Sequence, residues 1–283
     1  MPVQLYFPNF KTKQGAIGMF DYLMASRDSN DNNVIFNSDL NLEDLSHLPS
    51  GTHLAENNSD NINNSELYSF LGFVIQNLTT HNAQVFQDLY VLWKLKNKKQ
   101  GIFVEIGTGY PTGGNNTWIL ESQLDWHGVL VEPNPTFSQA IQLLRKSELE
   151  PYAIYYESDV NLMLQVPVAF SPGGGFKENF ENIVNPTDVN TVDIPVKTIS
   201  MSDLLKKHQI PKNFDYLSFD TTGNSLDISA LECMFVDQYF PKIITIGHNY
   251  KSHRTSLHNM LQSHGYVREF DYLSKWDDWY YHL

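Results

Sequence analysis

Residues 101–135 read GIFVEIGTGYPTGGNNTWILESQLDWHGVLVEPNP, and this stretch decides the fold. Ile102, Phe103, Val104, Glu105 and Ile106 form an almost unbroken apolar run, the pattern of a strand buried on both faces of a parallel sheet. Gly107, Thr108 and Gly109 follow at once. Glycines at the end of such a strand let the chain turn tightly and let a ligand approach the backbone. Asn115 or Asn116 is placed to cap a helix carrying Trp118, Ile119 and Leu120. A second apolar run, Val129–Val131, ends in Glu132 and Pro133. Strand, glycine turn, helix, strand and acid is the layout of a nucleoside-binding βαβ unit, in which the final acid accepts hydrogen bonds from ribose hydroxyls. The spacing GTGYPTGG departs from the G-x-G-x-x-G cradle of a diphosphate. That favours a nucleoside without a diphosphate over a nicotinamide dinucleotide.

Around this unit the chain alternates helix and strand. Two helices are expected in 67–78 and 83–97, the second with Val85, Leu89, Leu92 and Leu95 along one face. Gln87 and Asp88 fall either on a solvated helix face or against the pocket. Downstream come a helix over Phe137–Arg145 with Thr136 as its cap, a third strand in YAIYY and a further strand in NLMLQVPVAF. A flexible turn in SPGGGF and a polar insertion over 177–190 follow. IPVKTISMSDLLKKHQI gives a strand and a helix capped by Ser200 or Ser202. FDYLSFD ends in Asp220 and PKIITIGHNY ends in His248 and Asn249. A helix over 252–263 buries Leu257 and Leu261. GYVREFDYL and DDWYYHL close the chain as an antiparallel pair. The expected class is α/β, a Rossmann-like, doubly wound and mostly parallel sheet. Residues 81–283 form the main domain. Residues 1–80 form an extension, partly helical, with a polar loop at 27–65 that reads as irregular chain or as a lid.

The 283 residues carry a formal charge of −13. That disfavours long contacts with nucleic acid or an anionic membrane and is compatible with a neutral small-molecule or glycan acceptor. The single cysteine, Cys233, lies in an apolar setting and allows neither a disulfide framework nor a cysteine zinc cluster. A reducing, cytoplasmic location is expected. No signal-peptide pattern opens the sequence and no run reaches membrane-spanning length.

GIFVEIGTG, NNTWILE and WHGVLVEPNP, with Gln87-Asp88 upstream and FDYLSFDTTG and KIITIGHN downstream, resemble the FkbM family of S-adenosylmethionine-dependent methyltransferases. The resemblance runs from about residue 80 to the end. It implies a fold of the class I methyltransferase type, S-adenosylmethionine as cofactor, and O-methylation of a sugar, glycan or small metabolite. It places the cofactor on Glu105, Gly107, Thr108, Gly109, Asn116, Glu132 and Pro133. Glu105 would meet the amino group of the methionyl part, Glu132 the ribose, and Asp159, after the third strand, the adenine. Asp220, His248 and Asn249 would meet at one sheet edge as the acceptor side, with no metal assigned. Two carboxylates of the family pattern are missing there. Thr222 stands for a glutamate in Asp220-Thr221-Thr222-Gly223, and Gly247 stands where an acid is common. Tyr110-Pro111 also replaces a small acidic turn. A noncatalytic member serving as a binding or structural module is the alternative these departures favour.

Overall fold

The computed structural model describes residues 64–167, 175–176, 191–221 and 226–283. The extension as far as residue 63, with most of its polar loop, and most of SPGGGF, the 177–190 insertion, Thr222 and Gly223 lie outside them. The chain divides into two compact units, residues 1–81 and 82–283. In the first, helix α1 spans Asn64–Gln76. Leu67, Phe70, Leu71 and Val74 recur at helical spacing and are all buried.

The second unit is built on a seven-stranded sheet. Its strands are β1 (Ile102–Ile106), β2 (His127–Val131), β3 (Glu148–Glu150), β8 (Tyr216–Phe219), β9 (Ile243–Gly247), β10 (Tyr266–Glu269) and β11 (Asp277–His282). Their order is β10-β11-β9-β8-β1-β2-β3. All neighbours run parallel except β11, which is antiparallel to both β9 and β10. The apolar runs become strands because each is covered on both faces. Val104, Ile106, Val129, Val131, Leu217, Phe219, Ile244 and Ile246 join one core. Leu204 and Leu205 of α5 (Met201–Lys207), Leu231 and Met234 of α6 (Leu226–Val236), and Leu257 and Leu261 of α7 (Arg254–Ser263) pack into it.

Four local expectations are corrected. The helix after residue 83 is shorter, α2 (Gln87–Lys94). Asp88 Oδ2 accepts the N–H groups of Asn82 and Ala83, Ala83 bridges to Gly114, and Phe86 takes a left-handed backbone at the helix start, so Val85 lies in a turn outside the helix. Thr117, not Asn115 or Asn116, precedes α3 (Trp118–Leu124), and no side chain caps it. α4 (Pro135–Leu144) is capped by Asn134, whose Oδ1 accepts the N–H of Thr136, so Thr136 is the capped residue. The third strand is split. β3 stays with β2, while β4 (Ala153–Tyr155) leaves to pair with β7 (Thr191–Ser200). Pro151 stands at the break, where its missing N–H ends the ladder. β7 also pairs with β5 (Asn161–Pro167), and β6 (Gly175–Phe176) completes a second, four-stranded sheet. Ser200 caps α5 as expected, its Oγ accepting from Asp203 N.

α2 is fastened to the C-terminal strands. The Tyr90 ring stacks on Trp279 at 4.8 Å, and Tyr90 Oη and Lys94 Nζ both reach the Glu269 carboxylate, at 2.7 and 2.6 Å. On the far side of β11, buried Asp278 accepts a fork from Arg254, at 2.9 and 2.6 Å.

Candidate active site

The parallel register aligns the strand ends. Ile106 pairs with Val131 and with Phe219, and Phe219 pairs with Ile246. Asp277 lies opposite Gly247. The residues that follow therefore form a row along the carboxyl edge: Glu132, Gly107, Asp220, Gly247 and Asp277. This is the edge where open α/β sheets bind ligands. Among the described residues no cluster of three or more His, Cys, Asp or Glu is disposed to hold a metal ion.

Gly107 takes φ +78°, and a Cβ there would lie 1.9 Å from the Asp220 carbonyl oxygen. Only glycine lets β1 and β8 close to this distance. Glu132 is buried. Its Oε2 accepts from Gly109 N and its Oε1 from Asn134 N, each at 2.8 Å. Burial pushes its carboxyl up to about 7, against the pull of those two N–H groups, and the Glu105 charge adds to the rise. Such a group stabilises the folded state while protonated. That contribution is complete below the unfolded value near 4.5 and is lost as pH rises through about 7. Stability of the ligand-free protein should therefore fall between pH 5 and 7, with Glu132 contributing roughly 2–4 kcal/mol. Denaturant melts across that range should lose up to one proton of slope in Glu132→Gln. An unchanged slope would remove Glu132 as the source.

Glu105 is buried and engaged by the protein's own donors. Its Oε2 accepts from Asn115 Nδ2 and Thr117 Oγ1, each at 3.0 Å, and lies 3.7 Å from Arg145 Nη1. Burial raises its pKa, opposed by the Arg145 charge and these bonds. Arg145, which the sequence reading passed over as a helix end, is the hub beneath the glycine turn. Nε donates to Glu121, Nη1 to the Pro111 carbonyl and to Asn115 Oδ1, and Nη2 to Thr117 Oγ1. Tyr110 meets Phe137 edge-on at 5.3 Å, so its ring rests on α4. Thr108 is buried with its hydroxyl toward the Val131 carbonyl, and Asn116 donates to Ser218 Oγ at 3.0 Å. Pro133 is half-buried between Glu132 and Asn134.

Asp159 is not in the row. It occupies the turn between β4 and β5, on the second sheet, where its exposed carboxylate pairs with Lys197 at 2.5 Å. The departure of β4 at Pro151 carries it away from the main sheet. His248 is likewise corrected. It is fully buried, its Nδ1 accepts from Tyr250 N at 2.9 Å, and its Nε2 faces the Asp277 carbonyl at 3.1 Å. Both ring nitrogens are engaged, and burial lowers its pKa. It follows Gly247 in the chain and so falls on the opposite face from Asp220.

Asp220 and Asn249 do converge, over the α-carbon of Gly247. A Cβ there would lie 2.9 Å from Asp220 Oδ1, 3.5 Å from Asp277 Oδ1 and 3.8 Å from Asn249 Nδ2. Asp220 has exposed surface yet is surrounded by enough protein that desolvation raises its pKa to about 7, with Glu105 and Asp227 repelling its charge. Gln87 is buried and spans the site's floor, its Oε1 accepting from Val85 N and its Nε2 donating to Asp277 Oδ2 at 2.6 Å. Of the two readings of Gln87-Asp88, the solvated face is excluded. Asp277 was not singled out from sequence. The available signal was the adjacent pair Asp277-Asp278 in an aromatic-rich strand, where alternation sends one acid to each face.

A sheet of this strand order, with a glycine turn after its first strand and an acid after its second, defines a class I methyltransferase-like domain. A family profile described as the methyltransferase FkbM domain matches residues 105–273, more than half of the chain. The chain belongs to this FkbM methyltransferase family, and membership implies the capacity to bind S-adenosylmethionine. No curated protein matches the sequence. Among solved structures, a precorrin-6y C5,15-methyltransferase from Geobacter metallireducens GS-15 aligns at 15% identity and TM-score 0.34, covering 64% of this chain and 71% of that one. A human methyltransferase 10 domain containing protein aligns at 13% and 0.35, covering 72% and 84%. A putative RNA methyltransferase from Pyrococcus horikoshii aligns at 12% and 0.30, covering 65% and 69%.

The residues present fit an adenosyl ligand at one end of the row. Each oxygen of Glu132 accepts one main-chain N–H and keeps capacity for a further donor such as a ribose hydroxyl. No side chain at 107 or 109 stands over the strand ends.

Proposed function

We propose that the protein transfers a methyl group from S-adenosylmethionine to a hydroxyl of a sugar, glycan or small metabolite. The observation that carries this reading is the pair of carboxylates on either side of the Gly107 turn, buried Glu132 and exposed Asp220. Glu132 takes the ribose hydroxyls. The Gly107–Gly109 turn leaves its main chain bare to the ligand, and Asp220 with Asn249 holds the acceptor. The bound cofactor supplies an electrophilic methyl group on sulfonium. The protein's task is then to align the acceptor oxygen, exclude water and remove the hydroxyl proton. The single cysteine is in keeping with a reducing, cytoplasmic setting.

Calorimetric titration with S-adenosylmethionine and its demethylated product, followed by methyl transfer to a panel of sugars and glycans, tests the reading. Binding with turnover supports it. Binding without turnover on any hydroxyl acceptor favours a noncatalytic binding module, a reading that the sealed ring of His248 also motivates. Glu132→Ala should weaken the cofactor at least tenfold, about 1.4 kcal/mol, while the melting transition persists. An unchanged dissociation constant would take Glu132 out of the site.

A further inference from the structure

We propose that Asp277 is the partner of Asp220, and that the two carboxylates flanking Gly247 act together as the proton acceptor for a neutral hydroxyl. The proposal rests on the methyl-transfer reading above and adds to it the group that does the acid–base work.

The geometry comes from three strands. β8 delivers Asp220 to one side of the end of β9, and β11 delivers Asp277 to the other, in register with Gly247. The Oδ1 atoms of both lie within 3.5 Å of the point where a side chain at 247 would begin, and glycine leaves that point free between the strands that carry them. Asp277 is oriented rather than loose. Its Oδ2 is held by Gln87 Nε2, and its Oδ1 lies on the side of Gly247 that Asp220 also approaches. Asp277 is buried, whereas Asp220 has exposed surface, so a substrate meets Asp220 first.

The charges acting on the pair are all negative: Glu105 from β1, Asp227 from α6 and Asp278 from β11. Desolvation raises both members, and the Asp220 charge raises Asp277 further. Two neighbouring carboxylates under such repulsion retain one proton between them near neutrality. The inner Asp277 holds that proton and Asp220 presents a bare oxygen to the acceptor. In the reaction the acceptor oxygen forms its bond to the methyl carbon, and the carbon–sulfur bond breaks with its electron pair going to sulfur. The hydroxyl proton passes to Asp220 and leaves through its exposed edge. A pair that already carries negative charge suits a neutral hydroxyl and disfavours a phosphorylated or carboxylated acceptor.

The test is a titration of aspartate carboxyl carbons by NMR on the full chain, ligand-free, with Asp220 assigned by Asp220→Asn. In Asp277→Asn the Asp220 midpoint should fall by about one pH unit or more. Because the coupling is reciprocal, Asp220→Asn should lower the Asp277 midpoint likewise, and this variant changes an exposed group if Asp277→Asn proves unstable. Midpoints that ignore the partner overturn the pairing. With an acceptor in hand, Asp277→Asn should shift the acidic limb of the kcat profile downward by a similar amount and lower kcat more than cofactor affinity. Coupled midpoints with an unmoved profile would overturn the catalytic role and leave the methyl-transfer reading standing. Failure to bind S-adenosylmethionine would sink that reading, and this role with it, without disturbing the titration.

Discussion

Arg145→Ala should destabilise the protein by about 3–5 kcal/mol, the range for removing one partner from a buried ion network. That is a large share of the roughly 5–15 kcal/mol that holds a typical domain together. The side chain of Arg145 is wholly buried and its guanidinium joins four groups of the turn and of α3: Glu121, Pro111, Asn115 and Thr117. Without it, Glu105 and Glu121 remain buried with no counter-charge, and the Pro111 carbonyl loses its donor. Arg145→Lys should recover less than half of the loss, since an ammonium cannot span the same fork. Lys146→Ala, one residue on and exposed, should stay within about 0.5 kcal/mol. The deficit should shrink as pH falls. Removing the cation raises the folded-state pKa of both glutamates, and the variant's native state then binds protons that the unfolded chain does not. Urea melts at pH 5 and pH 8 measure both effects. A loss under 1 kcal/mol at pH 8 would mean that Arg145 does not hold the turn.

The second large effect is expected at Gly107. Alanine there must adopt a left-handed backbone and place its Cβ 1.9 Å from a carbonyl oxygen that is itself tied down, because Asp220 N donates to Ile106 O at 2.9 Å. The obstacle is main chain, so no rotamer relieves it. Backbone strain and overpacking together should cost about 2–5 kcal/mol. Whatever remains folded should bind the cofactor at least tenfold more weakly, because the ends of β1 and β8 part and the Gly109 N–H withdraws from Glu132. Gly113→Ala is the control. Its added carbon meets nothing within 4 Å, and stability and affinity should both hold. Equal behaviour of the two variants in melts and titrations would show that the close approach at Gly107 is dispensable.

These two positions differ in how much of their role was legible. The Gly107 turn announces itself because a buried parallel strand, its terminal glycine and the acid after the next strand are encoded in consecutive residues. The antiparallel end of the sheet and the Ser200 cap were readable for the same reason. Arg145 gave no such signal, because its partners come from 111, 115, 117 and 121 and meet it only after α4 docks. The split of the third strand depended on which neighbour was free to pair beyond Pro151, a nonlocal matter. His248 was lost to parity: one residue along a strand reverses the face, and Gly247, which looked like a missing acid, marks the face that matters. Asp277 then stands beside the position where the family resemblance led one to expect a carboxylate on β9, supplied instead from β11.

The bond between Gln87 and Asp277 joins positions 190 residues apart. On a ribosome adding about 5–20 residues per second, Gln87 emerges roughly 10–40 s before its partner exists. Throughout that interval the Tyr90 ring lacks Trp279 and the Nε2 of Gln87 lacks Asp277, because both partners lie on β11. The nascent chain thus carries an uncovered aromatic helix beside an unfinished sheet edge, the kind of surface that holdase chaperones bind, and assembly of this edge of the site is deferred until β11 slots between β9 and β10.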